Sequence, residues 1–267
     1  MDLYETSALF NQNMSQQQQH KLMNFYKQVF KDYPIKTIHD CSIGAGGTTL
    51  PLAKLGYNLS GSDLSESLLN KAKENFKAAG YDIELYVSDF RTLHRVLPFT
   101  YDCIMSTGNS LPHINNDDIR NFVKSISCKI NKNGLFFIDL RNWDKLLKER
   151  PIFNARDPLV MSEKQHTSLY QIWNWHDDQS VDFIFATSTD KNGQHESISF
   201  TQAPPYYPLR YKDYKKILND HHFEIKACFD VDYLWMSAKK QNNSVPKDFE
   251  KDFWQINWYA ILAQKVA

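Results

Sequence analysis

The chain has 267 residues, of which 42% are hydrophobic and 14% aromatic, enough for a sizeable core and incompatible with a free-standing disordered protein. Lysine and arginine number 31 against 31 aspartate and glutamate, so no global field draws the chain to nucleic acid or to a membrane surface, and a polyanionic partner is disfavoured. The four cysteines, Cys41, Cys103, Cys128 and Cys228, lack both a C-x-x-C pair and a histidine at metal-ligand spacing, which predicts buried thiols in a reducing compartment and no metal site.

The first 35 residues are polar, with a glutamine run at 16–19 followed by KLMNFYKQVF, where Leu22, Phe25, Tyr26, Val29 and Phe30 recur at helical spacing. The pattern predicts a helical segment that prefaces or lids the rest, with Tyr4 a candidate to close over a ligand. The N-terminus has no basic segment followed by an apolar stretch. No run of about 18 apolar residues occurs, so a cytoplasmic protein is expected.

From Thr37 onward short β-rich runs alternate with amphipathic helices: TIHDCSI, TLPLAKLG, YNLSGSD, ESLLNKAKENFKAAG, IELYVSD, YDCIMSTG, NDDIRNFVKSISCKI and GLFFIDL. Gly56 and Gly80 fall just past two of the helices, as left-handed C-cap residues do, and Asn115 or Asn116 caps another. This alternation predicts a parallel sheet covered by helices over residues 36–150. After Leu140 the rhythm changes. The segments YQIWNW, SVDFIFATST and HESISF, parted by the turns HDDQ and DKNGQ, predict an antiparallel insertion over 151–208. Over 209–267 a helix at YKDYKKILNDHHF, a strand at EIKACFDVDYLW and a last β-rich run at WQINWYAILAQK complete the core.

The stretch DCSIGAGGTT, residues 40–49, lies between the first strand and a helix, where phosphates and ribosyl groups bind. Asp63 ends the second strand about 19 residues after Gly44, near the spacing that puts a carboxylate on a ribose diol; its other reading is a helix N-cap. Position 49 is Thr where a dinucleotide fingerprint carries its third glycine. Asp40 precedes Gly44 by four residues, and Asp89 ends the third strand in YVSDF. Such carboxylates suit a cationic, phosphate-free ligand, although Asp40 also suits the turn's own N–H groups.

In order, D-x-x-x-G-x-G, SD, SDF and YD resemble the class I S-adenosylmethionine-dependent methyltransferases over about Tyr33 to Leu140. The resemblance implies a Rossmann-like, doubly wound, seven-stranded, mostly parallel sheet that ends in a reversed hairpin and carries the antiparallel insertion. It implies S-adenosylmethionine as cofactor and S-adenosylhomocysteine as product. Asp63 would hold the ribose hydroxyls, Leu64 would pack on adenine, and Asp89 would accept from the adenine amino group beside Phe90. Gly44 to Gly46 would approach the methionine moiety, with Asp40 and Thr107 at the same end of the sheet.

GNSLPH at 108–113 and IDLRNWD at 138–144 resemble the glycine and sarcosine N-methyltransferase branch, whose motifs run G-N-S-x-x-H and I-D-x-R-N-[YW]-D. The resemblance implies that Arg141 grips a substrate carboxylate and Asn109 orients it, while His113 could take a proton. The alternative for Arg141 is a salt bridge to Asp139 or Asp144. Tyr206, Tyr207 and Tyr211, in APPYYPLRYKDY, are candidates to line the site. The half from Pro151 onward matches that branch only loosely and is where substrate choice is expected. The partner is expected to be a small carboxylated amine. A methyltransferase acting on another metabolite, RNA or protein, a non-catalytic adenosyl-binding module and an NAD-dependent dehydrogenase are the competing readings. A homo-oligomer, with the insertion as lid or subunit contact, stays open.

Overall fold

The structure, a computed structural model, describes residues 14–162, 164–235 and 249–266. Its main sheet contains β1 (Thr37–Asp40), β2 (Asn58–Asp63), β3 (Glu84–Val87), β4 (Tyr101–Ser106), β5 (Ile130–Arg141), β10 (Phe223–Asp230) and β11 (Trp258–Lys265), in the order β10-β11-β5-β4-β1-β2-β3. The five strands β1 to β5 run parallel, and β11 is antiparallel to both β5 and β10. The seven-stranded, mostly parallel sheet with a reversed final strand is therefore present. Between β2 and β4 the order reverses at the end of β1, which is where an open α/β sheet leaves a crevice.

Both faces of this sheet are covered, and β5 shows how. Leu135 and Phe137 face one layer, Phe136, Ile138 and Leu140 the other, so the strand is a continuous apolar run rather than an alternating one. Helix α1 (Gln16–Phe30) covers the first layer. It starts at a capping box in which Ser15 and Gln18 satisfy each other's backbone N–H groups. Its residues Leu22, Phe25, Tyr26, Val29 and Phe30 form one buried stripe, with the Phe25 and Tyr26 rings each 6.2 Å from that of Phe137. Each such buried aromatic contributes about 1.5–3 kcal/mol of burial free energy, so this part of the expected lid is a layer of the core. Helices α2 (Leu50–Lys54), α3 (Glu66–Ala78), α4 (Leu93–Val96), α5 (Asn116–Ser127), α6 (Trp143–Glu149) and α7 (Tyr211–Asp220) make the remaining connections. Gly56 (φ 89°) and Gly80 (φ 84°) close α2 and α3 in the left-handed region, and Asn115 caps α5.

The insertion is a four-stranded antiparallel sheet in the order β6-β7-β8-β9: β6 (Phe153–Ser162), β7 (Gln165–Trp175), β8 (Val181–Lys191) and β9 (Gln194–Tyr206). Strand β6 was not expected from the sequence. It lies at the edge, where Pro158 is tolerated, and its register shifts between Arg156 and Leu159 around that proline. A second difference is the segment EIKACFDVDYLW. The strand stops at Asp230, whose carboxylate accepts the Asp232 N–H at 2.9 Å, and Asp232–Trp235 is a helical turn. The two sheets join where Tyr207 N–H donates to the Pro112 carbonyl at 2.7 Å, which sets the insertion over the C-terminal ends of β4 and β5.

Candidate functional site

The glycine-rich turn leaves β1 at Asp40 and is shaped by Gly44 (φ 51°) and Gly46 (φ 82°), both in the left-handed region that glycine enters without a Cβ penalty. Asp40 is fully buried. Its carboxylate accepts from Thr49 Oγ1 at 2.5 Å, Thr107 Oγ1 at 3.1 Å and Ser42 N–H at 3.1 Å. These bonds tie the turn to the end of β4, the role of acceptor for the turn itself. Thr107 also links to Thr48 at 3.1 Å and is buried.

At the end of β2, Asp63 accepts the Gly44 N–H at 2.9 Å and the Ser65 N–H at 3.0 Å. The N-cap of α3 is Ser65, whose hydroxyl accepts from Leu68 N–H, so Asp63 is not the cap. Next to it Leu64 is an apolar side chain left 67% exposed. Asp89 meets Arg91 through Nε at 2.8 Å and Nη2 at 2.5 Å, and this guanidinium holds its carboxyl below the ordinary value. Phe90 packs edge-on to Phe122 at 5.0 Å and belongs partly to the core. No lysine or arginine occurs in residues 40–49. Two strand-end carboxylates, an exposed leucine and a turn without basic side chains fit a cationic, phosphate-free adenosyl group better than a pyrophosphate.

A second set of residues gathers where β4 and β5 meet the insertion. Gly108 (φ 75°) and Asn109 (φ 57°) are consecutive left-handed residues. The turn they form is held by the buried Asp139, which accepts the Asn109 N–H at 2.9 Å and the Trp258 indole at 3.3 Å. Asn109 is 1% exposed. Its Oδ1 accepts the Arg141 backbone N–H at 3.0 Å and the Trp143 indole at 2.9 Å, while its Nδ2 has no hydrogen-bond partner among the described residues. The Arg141 guanidinium carbon lies 5.1, 5.3 and 5.6 Å from the ring centroids of Trp258, Trp173 and Phe183, within cation–π range of all three. His113 stacks on Tyr206 at 4.2 Å, and Tyr206 lies 5.2 Å from Trp143. The Nδ1 of His113 faces the Pro205 carbonyl at 3.3 Å, and since a carbonyl only accepts, Nδ1 is the donor of that bond.

The structure thus brings Asn109, His113, Arg141 and Tyr206 together. It does not bring Tyr211 to them: that ring packs on Phe249, Phe253 and Tyr259, and its hydroxyl meets Cys228 Sγ at 3.4 Å. The reason is the start of α7, where Asp144 fixes the Tyr211 N–H at 2.7 Å and turns the residue towards β11. Asp144 also faces Arg210 at 3.8 Å. Tyr4 lies outside the described residues. Sequence reasoning missed Asp139 as the anchor of the Asn109 turn, and Trp143 and Trp173 as walls; the available signals were IDLRNWD, which contains Asp139 and Trp143, and the tryptophans of YQIWNW. No group of histidine, cysteine and acidic residues suited to a metal occurs among the described residues, and no described helix is long and apolar enough to cross a membrane.

Burial pushes Asp139 up to about 7, although the Gly108 and Asn109 N–H groups pull the other way, and pushes Asp40 up to about 6. Between the unfolded and folded values the unfolded chain binds fewer protons, so the stability linked to Asp139 is full below about pH 4 and is lost as pH rises towards about 7. Burial drives His39 down to about 3, and its contribution has the opposite sign, being lost as pH falls. The expected result is therefore a difference. Measured by denaturant midpoint, the stability of the protein relative to Asp139→Asn declines between about pH 4 and pH 7 and is flat above. A constant difference over that range would show that Asp139 does not titrate there.

Residues 38–134 match the model of a methyltransferase domain. A glycine/sarcosine N-methyltransferase of Halorhodospira halochloris is 30% identical over 125 residues, which are 46% of this chain and 47% of that protein. The chain thus spans about half the length of that relative. One of the same description from Parasynechococcus marenigrum is 20% identical over 243 residues, 91% of this chain and 76% of that one. Among solved structures, the amino pentose methyltransferase CalS10 of Micromonospora echinaspora superposes with a TM-score of 0.72 at 13% identity, covering 100% of this chain and 98% of that one. At that identity the likeness shows the fold.

Proposed function

We propose that this chain, which carries a class I S-adenosylmethionine-dependent methyltransferase domain, moves a methyl group from S-adenosylmethionine to the nitrogen of a small carboxylated amine. The observation that carries the acceptor class is the donor-only set at Asn109 and Arg141. The Asn109 oxygen is already engaged by the Arg141 backbone N–H and the Trp143 indole, leaving its amide nitrogen buried and without a partner among the described residues. A carboxylate has about four lone-pair sites and accepts a guanidinium fork together with further donors. A neutral amine alone would leave the Asn109 amide donor unpaired. The relatives named for glycine and sarcosine support the same reading.

When bound, the cofactor supplies a methyl group on a sulfonium, a good leaving group for in-line displacement. The chain's part is chiefly positioning, which in well-oriented systems is worth about 7–11 kcal/mol of the barrier. In this reading Asp63 holds the ribose hydroxyls, Leu64 and Phe90 flank adenine, and Asp89 accepts from its amino group. Asp40, Gly44, Gly46 and Thr107 shape the methionine end. Asn109 and Arg141 fix the acceptor's carboxylate, and the amine lies towards Tyr206 and His113, with His113 as the group that takes the proton the methylated nitrogen releases.

The test is transfer of labelled methyl from S-adenosylmethionine to a panel of glycine, sarcosine, other amino acids, decarboxylated amines, RNA and protein. Label confined to carboxylated amines is the expected result; label on RNA, protein or decarboxylated amines overturns the acceptor class.

A further inference from the structure

We infer that the indole N–H of Trp173 is a third donor to the acceptor's carboxylate, supplied by the inserted sheet, and that Trp173 thereby sets acceptor specificity. The inference rests on the carboxylate reading of Arg141 above. Trp173 lies on β7, is 2% exposed, and its Nε1 is buried with no hydrogen-bond partner among the described residues. The neighbouring indoles are all engaged: Trp143 with Asn109 at 2.9 Å, Trp175 with the Pro151 carbonyl at 2.9 Å, and Trp258 with Asp139 at 3.3 Å. More than nine in ten buried polar groups in folded proteins have a partner, and an orphaned donor costs about 1–3 kcal/mol. An orphan among satisfied neighbours therefore marks a place that a ligand completes.

That place is the acceptor site. The Trp173 ring is 5.3 Å from the Arg141 guanidinium carbon and 6.2 Å from the ring of Trp143, the residue bonded to Asn109. Two orphaned donors, one amide and one indole, thus belong to residues that contact Arg141, the indole through its ring and the amide through the oxygen of the same side chain. Phe183, edge-on at 4.7 Å, and Trp175, stacked at 6.0 Å, fix the indole plane, so little rotamer entropy is lost when its N–H finds an acceptor. The inserted sheet is on this account a wall of the acceptor site that reads charge. A carboxylate has lone pairs for the fork, the amide and the indole together; a primary amide presents one oxygen and an unwanted NH2.

Acetate, in the presence of S-adenosylhomocysteine, is the probe. Trp173→Phe keeps an aromatic ring under Arg141 and removes the donor; it is expected to weaken acetate binding roughly 10- to 100-fold, as loss of a hydrogen bond to a charged group does. In the protein labelled with 15N-tryptophan, the indole resonance missing from Trp173→Phe is expected to move downfield as acetate is added, a readout that packing alone does not produce and that needs no functional variant. If Arg141→Lys loses acetate while Trp173→Phe binds it within twofold of the unsubstituted protein and the resonance stays still, Trp173 only packs and the inference falls. If the unsubstituted protein takes up no acetate, or neither variant weakens it, the carboxylate reading itself falls and takes this inference with it.

Discussion

Arg141→Ala is expected to raise KM for the amine acceptor about 100-fold or more while the affinity for S-adenosylmethionine stays within about twofold. The first figure follows from losing two charge-assisted bonds, each worth roughly 1.5–3 kcal/mol. The second follows from the local geometry. The bond that ties residue 141 to Asn109 uses the backbone N–H, which alanine keeps, so the left-handed turn at 108–109 is retained. Arg141→Lys should recover little, because a lysine ammonium is a point charge without the planar fork. Steady-state kinetics beside calorimetric titration of the cofactor separate the possibilities: parallel loss of both affinities would mark Arg141 as a structural residue instead.

Gly46→Ala is expected to cost substantial stability. A Cβ at position 46 would lie 2.6 Å from Phe76 Cε2 and 3.2 Å from Cδ2, and Phe76 is a buried residue of α3 packed with Ile43, Ala53 and Leu69. To this overpacking, about 1–3 kcal/mol, is added the cost of φ 82° for an L residue, about 1–2 kcal/mol. The sum, roughly 2–5 kcal/mol, is a large fraction of a typical domain's stability. Gly44→Ala is the control. It bears the conformational cost at φ 51°, but its Cβ would sit 4.0 Å from Leu68 Cδ1, ordinary contact. Urea midpoints should therefore fall further for position 46 than for position 44; equal losses would show that Phe76 gives way and that only backbone strain matters.

Much of this architecture is legible in the alternation between Thr37 and Leu140, because each strand, helix and C-cap glycine there follows local rules of period and φ. The strand-end acids are legible for the same reason: SD at 62–63 and SDF at 88–90 occupy fixed places relative to the elements they close. What local pattern does not show is set by contacts between distant segments. Helix α1 has the spacing of any amphipathic helix, and contacts across the chain, with Phe137 and Phe229 among others, make it a core layer. Tyr206 and Tyr211 share one aromatic segment. The end of β9 holds the first beside His113, and the start of α7 turns the second to Tyr259. Asp139 reads in sequence as an ion-pair partner for its neighbour. Its position opposite a left-handed turn, 30 residues earlier in the chain, makes it a backbone anchor instead. Trp173 is one aromatic of an alternating strand until the two sheets are brought together.

Recognition of the acceptor's carboxylate by Arg141 and Asn109 is read by kcat/KM for sarcosine against its carboxamide isostere sarcosinamide, with S-adenosylmethionine saturating. A preference of about 100-fold or more for sarcosine is expected, expressed mainly in KM and lost in Arg141→Ala. Equal kcat/KM for the two, or a preference that survives in Arg141→Ala, would contradict it.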